Sequence, residues 1–82
     1  DFPETHLQIG GAALQARQFP LAVRAFTQAV SLDPQIVEAW VMLIRLHAAM
    51  GNPDAAHAAL SSALAANPTS PELRSMQGGI AP

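Results

Sequence analysis

No cysteine occurs in the 82 residues. Disulfides, thiolate chemistry and cysteine-ligated zinc or iron–sulfur sites are therefore excluded, while the compartment is left open. Lysine is missing as well: Lys+Arg is 4, all of it arginine, and the formal net charge is -2. A surface that tracks a phosphate backbone needs several clustered cations, so no nucleic-acid partner is expected. No apolar run approaches the roughly 20 residues of a membrane span. The longest candidate, Ala39 to Met50, is interrupted by Arg45 and His47, so no membrane partner is expected either. No stretch reads as a signal peptide. The chain begins at Asp1 rather than a methionine, and the expectation is that it is processed or excised from a longer protein. Valine and isoleucine are sparse, which speaks against a strand-rich fold.

What is present is alanine, a 50% apolar composition that argues against disorder, and a repeat. Asp33-Pro34 returns 34 residues on as Asn67-Pro68. Glu4 returns as Glu38 and again as Glu72, and Ala22, Ala25 and Ala29 return as Ala56, Ala59 and Ala63. Pro3-Glu4 and Gly10-Gly11 reappear two periods later as Pro71-Glu72 and Gly78-Gly79. A fixed period of this size marks stacked supersecondary units, which usually build binding surfaces rather than reaction centres.

Alanine favours helix, and the helix signals come in pairs. A first segment runs from about Glu4 to Ala16, with Leu7, Ile9, Ala13 and Leu14 at roughly helical spacing. Pro20 suits the first turn of a second helix, where its missing N–H costs nothing. That helix carries Ala22, Val23, Phe26, Ala29 and Val30, and Asp33-Pro34 stops it, because the residue before proline is pushed out of the helical region. A third helix runs from about Ile36 to Met50 with Trp40, Leu43, Ile44 and His47, and Gly51 ends it. Asn52 is a good N-cap and Pro53 a good first residue for a fourth helix, from about Asp54 to Ala66. Asn67-Pro68 stops that helix, and Ser70-Pro71-Glu72 opens a short fifth one that loosens at Gly78-Gly79. Connections this short make neighbouring helices antiparallel.

The period, the paired helices and the residue types together resemble the tetratricopeptide repeat family over about residues 3 to 77. The second unit supplies Trp40, Leu43, Ile44 and His47 in its first helix, then Ala56, Leu60, Ala63 and the closing Pro68. The first supplies His6, Ile9, Gly10 and Ala13, then Ala22, Phe26, Ala29 and Pro34. Small alanines let two helices approach closely, and Phe26 or Leu60 fills the gap between units. The departures are His6 at a position usually aromatic, Ala13 and His47 where tyrosine is usual, and Arg17 where the second unit has Gly51.

The resemblance implies an all-α superhelix. It consists of two antiparallel helix-turn-helix repeats (3–34 and 37–68) plus a short C-terminal helix at 71–77. Two full repeats are fewer than the three or so normally needed for stability. Residues 71–77 read by preference as a capping helix, the alternative being the start of a third repeat in a longer array.

In this family the first helix of each pair lines the concave face. That places Glu4, Leu7, Gly11 and Leu14 from the first repeat and Glu38, Val41, Arg45 and Ala48 from the second along an apolar trough. Some members clamp a peptide's terminal carboxylate with lysine and asparagine there. Here the matching positions hold Leu7, Gly11 and Val41, so the clamp is absent. A hydrophobic peptide or helix is the expected ligand, with Arg45 either pairing an acidic group or lying solvated with its stem over apolar neighbours.

The remaining residues read as structural. Trp40 could anchor a partner, but the family position is core between the paired helices. Leu7 and Leu14 fit either core or groove. His6, His47 and His57 include no pair at the three- or four-residue spacing that shares a helix face, so no metal site is expected. His47 is expected to pack in tyrosine's place with a ring nitrogen hydrogen-bonded. The serines have no base at motif spacing, and Gly10-Gly11 lacks the lysine and strand context of a phosphate loop. No catalytic role and no cofactor are expected. The sequence thus points to a protein-binding module within a larger protein. The competing reading is a structural spacer or a self-associating unit that pairs the exposed apolar ends of a short stack.

Overall fold

Proline sets where most of the helices begin. The computed structural model describes residues 2–79. It contains α1 (Pro3–Gln15), α2 (Phe19–Leu32), α3 (Val37–Ala49), α4 (Pro53–Ala66) and α5 (Pro71–Gly79). In α1, α2 and α4 a proline occupies the first or second helical position, where an N–H has no intrahelical partner to lose. No strand occurs among the described residues.

The helices end by two alternating devices. After α1 and α3 the chain turns through a left-handed residue, Arg17 at φ 59° and Gly51 at φ 78°. At the first turn the Arg17 N–H donates to Leu14 O at 3.0 Å and the Gln18 N–H to Ala13 O at 2.8 Å. At the second, Gly51 and Asn52 repeat this pattern on Ala48 O (3.1 Å) and His47 O (2.9 Å). These are paired Schellman closures, which satisfy carbonyls left over at a helix end. They fold α2 back on α1 and α4 back on α3. After α2 and α4 the chain leaves the helix one residue before a proline, at Asp33 and Asn67.

Asp33 and Asn67 hold one register position and do different work. The Asp33 carboxylate accepts from the Gln35 N–H at 3.0 Å, a local turn contact. The Asn67 amide donates to Ala63 O at 3.1 Å and to Pro34 O at 2.8 Å. The Trp40 indole N–H donates to the same Pro34 carbonyl at 2.7 Å. The end of the second hairpin is thereby tied to the turn that joins the two hairpins.

Close helix approach rests on Ala22, Ala29, Ala56 and Ala63, all fully buried. Outside its own hairpin, α3 packs chiefly on α2 and on α5. Within the first hairpin, Gly10 lies over the tip of the Phe26 ring, where an added Cβ would meet Cζ at 2.7 Å. One period on, the same two positions are Ile44 and Leu60, both buried. The bulk that α2 supplies in the first hairpin is thus shared between both helices in the second.

Three expectations change in detail. The side chain of Asn52 makes no capping hydrogen bond. Its backbone, at ψ 71°, lies off the extended conformation that aims an N-cap side chain at the first turn. The last helix continues to Gly79 rather than loosening at Gly78. A helical glycine costs only about 1 kcal/mol, which does not by itself end a helix. His47 is half-buried as expected of a packing residue. Its Nδ1, however, is out of reach of solvent and has no hydrogen-bond partner.

Candidate partner-binding site

The first turn of α1 and of α3 each carries one glutamate, Glu4 and Glu38, placed where the positive end of the helix favours a carboxylate. Both are exposed. Further along the same register, Leu7, Gly11 and Leu14 on α1 and Val41 on α3 are half-buried, whereas Arg45 and Ala48 on α3 are exposed. Leu7, Leu14 and Val41 pack partly against the core. The choice between core and groove for the two leucines therefore has a mixed outcome: one side of each supports the hairpin and the other faces out. Trp40 is in the core, with its indole N–H satisfied internally.

Two cavities lie elsewhere, and neither was anticipated from the sequence. One, of about 230 Å³, is formed between α1 and α2 by His6, Ile9, Leu21, Arg24, Ala25 and Gln28. The other, of about 290 Å³, is formed between α4 and α5 by His57, Leu60, Ser61, Leu64 and Gln77. The period relates both to the junction between the hairpins. One period before His57, Leu60, Ser61, Leu64 and Gln77 stand Val23, Phe26, Thr27, Val30 and Leu43. Leu43 is only 4% exposed. At the first junction a leucine fills the space; at the second a glutamine stands in its place and a cavity stays open.

Ile9 is the counterpart of Leu43 one period earlier, yet it is 42% exposed. Thr5 and Ala12 are likewise exposed, whereas their counterparts Ala39 and Leu46 are buried. The difference follows the packing: outside its own hairpin α3 packs on α2 and α5, whereas among the described residues α1 packs chiefly on α2. Leu21 and Phe2 add to the exposed apolar surface at 41% and 74%. The signal was present in the sequence as Ile9 and Leu43 sharing a register, but only burial separates the covered copy from the bare one.

Among the described residues, no group of three His, Asp or Glu side chains could hold a metal ion. No helix among them is long and apolar enough to cross a membrane. A family model for the tetratricopeptide repeat matches residues 13–80. No curated protein matches the chain.

Proposed function

The chain belongs to the tetratricopeptide repeat family, whose members are non-catalytic scaffolds for protein–protein contact, and we propose that it binds a peptide or helix of a partner protein along α1 and α3. The contact residues are Leu7, Gly11 and Leu14 on α1 and Glu38, Val41, Arg45 and Ala48 on α3. The units in this reading are 3–34 and 37–68, with 71–77 closing the stack as a cap.

The observation that carries the proposal is the state of Leu7, Leu14 and Val41. Each is packed against the core yet only half-buried. Such residues present apolar surface on a rigid support, which lowers the ordering cost of binding. Arg45, exposed on the same helix as Val41, supplies a planar donor fork for a carboxylate of the ligand. The absence of lysine removes the usual means of gripping a chain terminus, so an internal apolar segment with one acidic residue is the expected ligand.

The test is selection of a random peptide library on the immobilised chain, followed by affinity measurements on Val41→Asp and Arg45→Ala. The expected binders are apolar with one acidic position. Val41→Asp weakens them tenfold or more, and Arg45→Ala weakens only those that carry the acid, by roughly fivefold. Binders unaffected by either change would refute the proposal.

A further inference from the structure

The surface along α1 and α3 has an electrical direction, and that direction constrains its ligand. On α3, Glu38, Val41 and Arg45 stand three and four residues apart and so share one helix face. On α1, Glu4 and Leu7 are spaced in the same way. The short turns on either side of α2 reverse the chain twice, so α1 and α3 run in the same direction. Both glutamates, each in the first turn of its helix, therefore lie at one end of the surface. Arg45 lies seven residues beyond Glu38, about 10 Å along the axis at 1.5 Å per residue.

Glu4, Glu38 and Arg45 are the only formally charged residues of α1 and α3, and all three are exposed. Between the two ends lie the half-buried Leu7 and Val41. The neighbouring helix α5 packs on α3 but carries Glu72 and Arg74 within one turn, which adds no net direction. Opposite charges at the two ends of an apolar strip favour a ligand whose charges match and oppose the same ligand reversed. Granted partner binding along α1 and α3, on which this rests, we propose that the partner segment is bipolar. It is an apolar stretch with a basic residue at one end, which meets Glu4 and Glu38, and an acidic residue at the other, which meets Arg45. A separation of about 10 Å corresponds to about three residues of an extended segment or about seven of a helix. Leu7 and Val41 supply contact area in either direction; the charged residues choose the direction.

The probe is the tightest peptide from a random library selected on the 82-residue chain, made with both termini blocked so that only side chains carry charge. Its basic and acidic residues are expected about three or about seven positions apart. The chain has no cysteine, so a nitroxide is attached to a cysteine added to the peptide alone, beside the base in one version and beside the acid in another. The first version should broaden the amide signals of Glu4 and Glu38 and spare Ala48; the second should do the reverse. Glu4→Gln with Glu38→Gln should weaken the peptide about fivefold or more, and should leave unchanged a version with norleucine in place of the base. Glu4→Arg, Glu38→Arg and Arg45→Glu together should exchange the two broadening patterns, a readout that a merely misfolded chain would not give. Three results would overturn the proposal and leave α1 and α3 as the partner surface: binders with no basic residue, one broadening pattern for both labels, or the same loss with and without the base. Labels that broaden neither Leu7 nor Val41 would overturn that surface itself, and the proposal with it.

Discussion

Adjacent glycines in α1 respond differently to the same substitution. An ideal Cβ on Gly10 lies 2.7 Å from Phe26 Cζ and 2.9 Å from both Cε atoms, whereas one on Gly11 has nothing within 4 Å. Both residues are inside the helix, so alanine gains about 1 kcal/mol of helix propensity at either site. That gain cancels in the comparison. What remains is the steric term at Gly10. The Phe26 ring is 3% exposed and cannot swing into solvent, so the added methyl acts as overpacking, at about 1–3 kcal/mol. Gly11→Ala should therefore stabilise the domain by up to about 1 kcal/mol, a rise of roughly 4–8 °C in Tm for a chain of this size. Gly10→Ala should be neutral to destabilising by about 2 kcal/mol, the difference of those two terms. Urea unfolding followed by the fluorescence of Trp40, the single tryptophan, reads both variants on one signal. Gly10→Ala combined with Phe26→Leu should recover part of the loss, because the second hairpin already tolerates bulk at the first position with leucine at the other. Equal stabilities for the two alanine variants would refute the reasoning, as would additivity in the double variant.

Four further outcomes follow from single contacts. Arg17 holds a left-handed φ of 59°, so Arg17→Gly should raise stability by about 0.5–1 kcal/mol in chemical denaturation after the added chain entropy is counted; a loss would contradict the turn assignment. Asn67→Ala removes donors to Pro34 O and Ala63 O and should cost about 1–2 kcal/mol. Asn67→Asp should cost more, because a carboxylate oxygen would then face two carbonyls, and the order of the two melting midpoints checks this. The partnerless Nδ1 of His47 makes His47→Phe stabilising by about 1 kcal/mol, with a lower midpoint as the opposing result. Leu73→Ala empties a fully buried position and should cost about 2–5 kcal/mol. Hydrogen exchange of the α5 amides should lose protection in step, and unchanged exchange would show that α5 docks without Leu73.

The architecture was legible in the sequence because its determinants are local and repeated. Pro3, Pro20, Pro53 and Pro71 mark helix starts, Gly51 marks a turn, and the alanines at 22, 29, 56 and 63 recur at one spacing. Arg17 was visible as a departure from Gly51, and its positive φ shows that the turn keeps its geometry without the glycine. Other features depend on which side chain meets which across the helices. Gly10 was readable as a small residue, but the Phe26 ring that requires it was not. Asn67 was readable as a helix stop, but its bond to Pro34, 33 residues away, was not. The exposed surface at Ile9 and Leu21 was implied only in general terms by the small number of repeats. Its shape and its positive charge required knowing that Arg24 lines the cavity.

The proposed partner surface of this scaffold is formed by α1 and α3 together. The most direct measurement is an amide chemical-shift titration of the chain with the tightest peptide from library selection. The expected shifts are concentrated on Leu7, Gly11, Val41, Arg45 and Ala48, with the exposed Ala58, Ser62 and Ala65 of α4 unmoved. Shifts concentrated on α2 and α4, with Val41 and Arg45 unmoved at saturation, would contradict it.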